Sequence, residues 1–223
     1  MIHTRQLAYR YGGGPDLRFP DLDLPQGGML LLKGPSGCGK STWLALAAGL
    51  LRPAAGHIVV AGQDLGALKT LATDSWRARA IGFLPQQLHL SQALTVSGNL
   101  ALAQWAAGVP DNPGAVAQAL QALGLAELAA RRPSQLSVGQ AQRVALARAV
   151  LLQPRVILAD EPTASLDDGA AQAALQLLAD TANRLGASLV IATHDARVAA
   201  SLPHAVVYEM ATTRSNMTGA ETP

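Results

Sequence analysis

A single cysteine, Cys38, excludes an internal disulfide and fits a reducing compartment. Charge is scarce as well. Only 14% of the 223 residues are Asp, Glu, Lys or Arg, and the formal net charge is +2. The basic residues are scattered and form no stripe, so no nucleic-acid partner is expected. Low charge fits a face covered by a partner, and fits equally a bias toward Ala and Leu. The opening MIHTRQLAYRYGGG holds no apolar run of the kind a secretory signal needs. From Ile81 to Pro110 there is no charged residue, a length able to cross ~30 Å of hydrocarbon. That stretch also contains Pro85, Gln86, Gln87, His89, Gln92, Asn99 and Gln104. Each would need a partner in lipid, so it is not expected to be a transmembrane helix. His3, His57, His89 and His204 show no clustered metal-ligand spacing.

What is present is apolar, 49% of the chain, enough for one domain with a substantial core. Short apolar runs alternating with Gly and Pro open the chain and read as strands and turns. Met29 to Leu32 reads as a strand, and Ser41 to Leu51 as a helix stopped by Arg52-Pro53. His57 to Gly62 reads as a further strand and turn. Residues 114–130 have helical spacing broken by Gly124, and a strong helix runs from Val138 to Leu152 before Pro154. Strand signals return at Val156–Ala159 and Ser188–Thr193, around a helix over 169–185 that ends at Gly186. Helices between strands predict an α/β core interrupted by a helical insertion at 88–155. That gives one domain, with core segments at 1–87 and 156–210 and a disordered tail at 211–223.

Residues 34–42 read GPSGCGKST, a glycine-rich loop between a strand and a helix. Gly34, Gly37 and Gly39 permit backbone that turns N–H groups inward on phosphate oxygens. Lys40 can reach the β- and γ-phosphates, and the Ser41 hydroxyl can coordinate Mg²⁺. The positive end of the following helix points at the same anion. Pro35, Ser36, Cys38 and Thr42 complete the loop, Cys38 chiefly by being small. The alternative, an ordinary glycine-rich turn, does not require the flanking strand and helix. A second element, VILADE, ends a buried-looking strand in two carboxylates, Asp160 and Glu161. Ligands of open α/β sheets collect at that edge. Asp160 is placed to support Mg²⁺ and Glu161 to activate water. The bland alternative is that these acids cap the turn before Pro162.

Residues 136–140 read LSVGQ and lead into AQRVALARA. This resembles the signature motif of the ABC ATPases, with Val138 where a glycine is common. The family's other marks follow in order. Gln86 in IGFLPQQ is similar to the Q-loop glutamine, Ser165-Leu166-Asp167 to the D-loop, and His194 to the switch histidine. The resemblance runs from about Leu7 to Met210. It implies a RecA-like P-loop NTPase core of the ABC type, with an N-terminal β subdomain and an inserted α-helical subdomain. It further implies ATP and Mg²⁺ as ligands, with Ser41, Gln86 and Asp160 at the metal. Glu161, His194 and Lys40 would be catalytic.

In that family two subunits pack head to tail, so Ser137 and Gly139 would meet the nucleotide of a second copy, and Gln140 and Asp167 also count among the nucleotide-binding residues. An aromatic residue stacks on adenine, and both Tyr9 and Tyr11 are available, Tyr11 at the better spacing. The resemblance also implies a separate membrane permease, a place on the cytoplasmic face of the bacterial inner membrane, and docking near the uncharged 81–110 stretch. Trp43, Trp76 and Trp105 are packing candidates, Trp105 with a possible place beside a partner groove. The wording ADEPTASLD resembles the macrolide-efflux and lipoprotein-release branch. Importer, cell-division and soluble DNA- or ribosome-directed ATPases stand as alternatives. After Ala205–Met210 the family's Asp-Gly turn and final strand are missing, which leaves an early end to the sheet or an irregular last strand.

Overall fold

The computed structural model describes residues 1–164 and 166–211. Ser165 of the D-loop reading and all but the first residue of the expected tail lie outside the described residues. The N-terminal third forms β1 (Ile2–Arg10), β2 (Asp16–Arg18), β3 (Leu22–Leu24), β4 (Met29–Lys33), α1 (Lys40–Ala47), β5 (Ala55–Val60) and β6 (Gln63–Asp64). Next come α2 (Thr70–Ala80), β7 (Ile81–Leu84), α3 (Val96–Ala106), α4 (Pro113–Ala122) and α5 (Val138–Val150). The chain continues through β8 (Val156–Asp160), α6 (Asp168–Leu185), β9 (Ser188–Thr193), α7 (Ala196–Ser201) and β10 (Val206–Glu209).

Two sheets result. An antiparallel sheet has the order β2-β1-β5-β6, with β3 also paired to β1. A parallel sheet has the order β10-β4-β9-β8-β7. Strands β8 and β9 are buried at every position, as expected for a parallel sheet covered on both faces. Alternate residues feed two cores. Leu31, Ile157, Ala159, Leu189 and Ile191 pack with residues of α5 and α6. Leu30, Leu32, Val156, Leu158, Val190 and Ala192 pack with Trp43 and Leu44 of α1 and with the antiparallel sheet. Period-two alternation places the core residues on both faces.

Several boundaries differ from expectation, each for a local reason. Helix α1 ends at Ala47 rather than Leu51, because Gly49 turns left-handed at φ 65 well before Pro53. A Cβ there would stand 2.7 Å from Thr73 Cγ2, so glycine is required. Helix α5 ends at Val150, with Gln153 in the left-handed region at φ 52. The uncharged 81–110 stretch divides into β7, a connecting loop and α3. Among the described residues no helix is long and apolar enough to cross a membrane. Strand β10 pairs in parallel with β4 at the sheet edge, from Val206 opposite Leu30 to Glu209 opposite Lys33, and the expectation for the chain after Met210 falls, beyond residue 211, outside the described residues. Between β7 and β8 stand α3, α4 and α5, and α5 packs on α3, α4, α6 and β7.

Candidate functional site

Four neighbouring parallel strands, β4, β9, β8 and β7, end at the same edge of the sheet. Their register sets Lys33 beside Thr193, Asp160 beside Ala192 and Leu84 beside Ala159. The residues that follow are therefore neighbours: the glycine-rich loop after β4, His194 after β9, Glu161 after β8, and Pro85-Gln86 after β7. This is where an open parallel sheet presents ligands. A cleft of about 470 Å³ lies there, lined by Tyr11, Ser36, Gly37, Gly39, Lys40, Ser41, Thr42, Gln86, Glu161 and His194 among others.

The loop is shaped by its glycines. Gly37 and Gly39 hold φ of 79° and 100°. At Gly34 a Cβ would stand 2.5 Å from Met210 O and 2.8 Å from Cys38 Sγ, so no side chain fits. Cys38 is buried beneath the loop within the core, a packing role. Gly39 caps α1 without any side-chain hydrogen bond, which leaves its first-turn N–H groups free of a side-chain acceptor. Lys40 is 6% exposed, and its Nζ donates to Gly34 O at 2.8 Å and Pro35 O at 3.1 Å.

Glu161 is the meeting point. It sits at φ 47, a left-handed backbone that costs a non-glycine residue about 1–3 kcal/mol. Its carboxylate receives four groups, one of them the His194 backbone N–H, 3.4 Å from Oε2. Lys40 Nζ is 3.6 Å from Oε1, His194 Nδ1 is 2.9 Å from Oε1, and the Thr193 hydroxyl donates to Oε2 at 3.1 Å. Asp160 behaves differently. Burial pushes its carboxyl above the usual range and the neighbouring Glu161 charge adds to that, while a hydrogen bond from Ser41 and the charge of Lys40 pull it down. Its Oδ1 atom is fully enclosed and has no hydrogen-bond partner. A hard cation would satisfy such an oxygen, and hydroxyl plus carboxylate donors are the set that Mg²⁺ takes.

Tyr11 is 54% exposed; its hydroxyl bonds Thr42 Oγ1 at 3.0 Å, and its ring meets Tyr9 edge-on at 4.7 Å. Tyr11, unlike Tyr9, lines the cleft. Ser137, Gly139 and Gln140 do not line it. They start α5, where the Ser137 hydroxyl accepts from Gln140 N–H at 3.3 Å and Gln140 Oε1 accepts from Ser137 N–H at 2.9 Å. Val138 occupies the first helical position and is 60% exposed, so a β-branched residue is tolerated there. Asp167 caps α6, accepting from Ala170 N–H at 2.8 Å.

Sequence reasoning missed Thr163, Thr193, Asp195 and Arg197, which back Glu161 and His194. Thr163 meets Asp195 across 32 positions and Arg197 meets Asp168 across 29, separations that no spacing rule marks.

The ABC transporter family matches residues 17–164, which include the glycine-rich loop, Gln86, LSVGQ and the Asp160-Glu161 pair. The chain belongs to the ABC transporter family. It is 37% identical over 201 residues to the lipoprotein-releasing system ATP-binding protein LolD of Bacteroides fragilis, covering 89% of this chain and 93% of that protein. To the cell division ATP-binding protein FtsE of Escherichia coli it is 40% identical over 198 residues, 87% of this chain and 88% of that one. Its fold superimposes on the dimeric post-hydrolysis ATP-binding cassette MJ0796 bound to ADP and Pi. That match has a TM-score of 0.82 at 30% identity, over 94% of each chain. The chain is thus an ABC cassette with a RecA-like α/β core, and it binds and hydrolyses ATP.

Proposed function

We propose that this cassette hydrolyses ATP as a head-to-tail dimer and so drives a separate membrane permease, in a lipoprotein-release or macrolide-efflux type of system. The observation carrying this reading is the division of the motif residues. The loop, Gln86, Glu161 and His194 line one cleft, while Ser137 and Gln140 do not line it and Gly139 lines a neighbouring cavity that it shares with Gln86 and Glu161. A phosphate contact by Ser137 then calls for a second copy. Helix α5 would add the positive end of its dipole to that contact.

The N–H groups of the 34–39 loop and α1 cradle the phosphates, and Lys40 turns from Gly34 and Pro35 to the β- and γ-oxygens. Tyr11 stacks on the base. Ser41, Gln86 and Asp160 would hold Mg²⁺, which neutralises charge on the phosphates when bound. Glu161 accepts a proton from the attacking water as the water oxygen bonds the γ-phosphorus and the bond to ADP breaks. His194 holds Glu161 and the γ-phosphate in place. The products are ADP and phosphate.

Glu161→Gln is expected to bind ATP normally and to lose turnover by at least about 100-fold, as for a general base. Lys40→Ala should instead lose nucleotide binding, measured by titration with a fluorescent ATP analogue. Turnover near wild type in Glu161→Gln would remove Glu161 from the base role.

A permease partner is supported by exposed apolar side chains on and near the helical insertion: Trp105 is 78% exposed, Leu102 40% and Leu71 84%. Trp105→Glu should reduce copurification of the permease while ATP affinity stays unchanged; undiminished copurification would count against docking there. A cell-division type of partner is the second reading, favoured by the 40% identity to FtsE.

A further inference from the structure

Behind Glu161 and His194 lies a set of side chains with no part in the chemistry above. The buried Thr163 hydroxyl donates to Asp195 Oδ2 at 2.9 Å. Arg197 donates to the same carboxylate through Nη2 at 2.7 Å and through Nε at 3.0 Å to each oxygen. Its Nη1 reaches across to Asp168 Oδ1. Asp168 is the first residue of α6 and directly follows Asp167, the helix cap. On the inner side, Asp195 N–H donates to Thr193 Oγ1 at 3.0 Å, and that hydroxyl holds Glu161 Oε2 at 3.1 Å. One guanidinium therefore ties the loop carrying His194 to the start of α6.

We propose that Arg197 is a positioning residue for ATP hydrolysis, clamping the 193–195 loop to Asp168 so that Glu161 and His194 hold their aim relative to Asp167 and the dimer interface. Arginine suits the task because its planar fork can serve two carboxylates at once, which an ammonium does poorly. Stability alone does not account for it. The Arg197 side chain is 41% exposed and Asp168 90%, and exposed ion pairs contribute little. The constraint bears on geometry, where small misplacements of catalytic groups lower the rate steeply. Asp195 also caps α7, accepting from Arg197 N–H at 2.9 Å, so its removal would loosen that helix as well. Arg197 and Asp168 cap no helix and are the cleaner positions to vary.

The clamp rests on the assignment of Glu161 and His194 to catalysis, and the test separates the two. Arg197→Ala, Asp168→Asn and the double variant are compared for kcat, KM for ATP and melting temperature, with assays run well below the lowest melting temperature. Each single variant should lose about tenfold in kcat while KM stays within about twofold. The double variant should lose no more than either single, because both break the same link. Arg197→Lys should recover part of the loss. A kcat within about twofold of wild type for Arg197→Ala, or losses that multiply in the double variant, would overturn the clamp. Glu161→Gln, assayed alongside, tells which claim fails: retained turnover there sinks the base assignment, whereas its loss beside a normal Arg197→Ala sinks the clamp alone.

Discussion

Single carboxylates in this cassette are set apart by what surrounds them. Asp160 is raised by burial, whereas the carboxyl of Asp195 is held far below the usual carboxylate range. The hydrogen bonds of the Arg197 guanidinium do most of this, aided by the Arg197 N–H and Thr163 and opposed by burial. A depressed native value means that Asp195 stabilises the fold at pH above its unfolded value of 3.8, and that this contribution fades as pH falls below it. Asp195→Asn should therefore lie below wild type in urea stability by a constant gap between about pH 5 and 8, closing below about pH 4. A gap that stays open on the acid side would mean that the lost contacts are not ionic. At this scale the sequence was readable where chemistry needs residues close in order, as with Lys40 and Ser41 or Asp160 and Glu161. It was silent on Arg197, whose Asp168 partner stands 29 positions earlier.

Among the elements, α5 unites two tasks at its first turn. Ser137 and Gln140 bond each other's backbone reciprocally, a capping box that fixes where the helix starts. Ser137→Ala should cost about 1 kcal/mol of stability, the usual effect of losing a cap. If Ser137 also meets a second copy's nucleotide, the same change should lower ATPase activity by more than about tenfold, the equivalent of ~1.4 kcal/mol. Activity falling only in step with stability would confine Ser137 to capping. Elements marked by strong periodicity or caps, such as α5 and α6 with Gly186 at φ 60, were legible in advance. Helices α2 and α3 were not, because neither carries a clean apolar stripe: α2 buries only Thr73 and Ala80. Strand β10 was hidden for another reason. It is an edge strand, with Val206 61% and Val207 46% exposed, and its place comes from pairing with β4 rather than from its own pattern.

For the whole molecule, the sheet order brings four motifs scattered between residues 34 and 194 to one edge, and it leaves LSVGQ outside the cleft they form. On the proposed reading, a single copy holds both halves of a nucleotide site, but apart. On that reading the loop side of each copy meets the α5 start of the other, and nucleotide binding becomes closure. The most direct measurement is the molar mass of Glu161→Gln by light scattering, with and without ATP. The account predicts the 23.0 kDa monomer without nucleotide and a doubling on saturation with ATP. It also predicts that Ser137→Arg in the same chain abolishes the doubling without affecting ATP binding. A mass that stays at the monomer value under saturating ATP would contradict it.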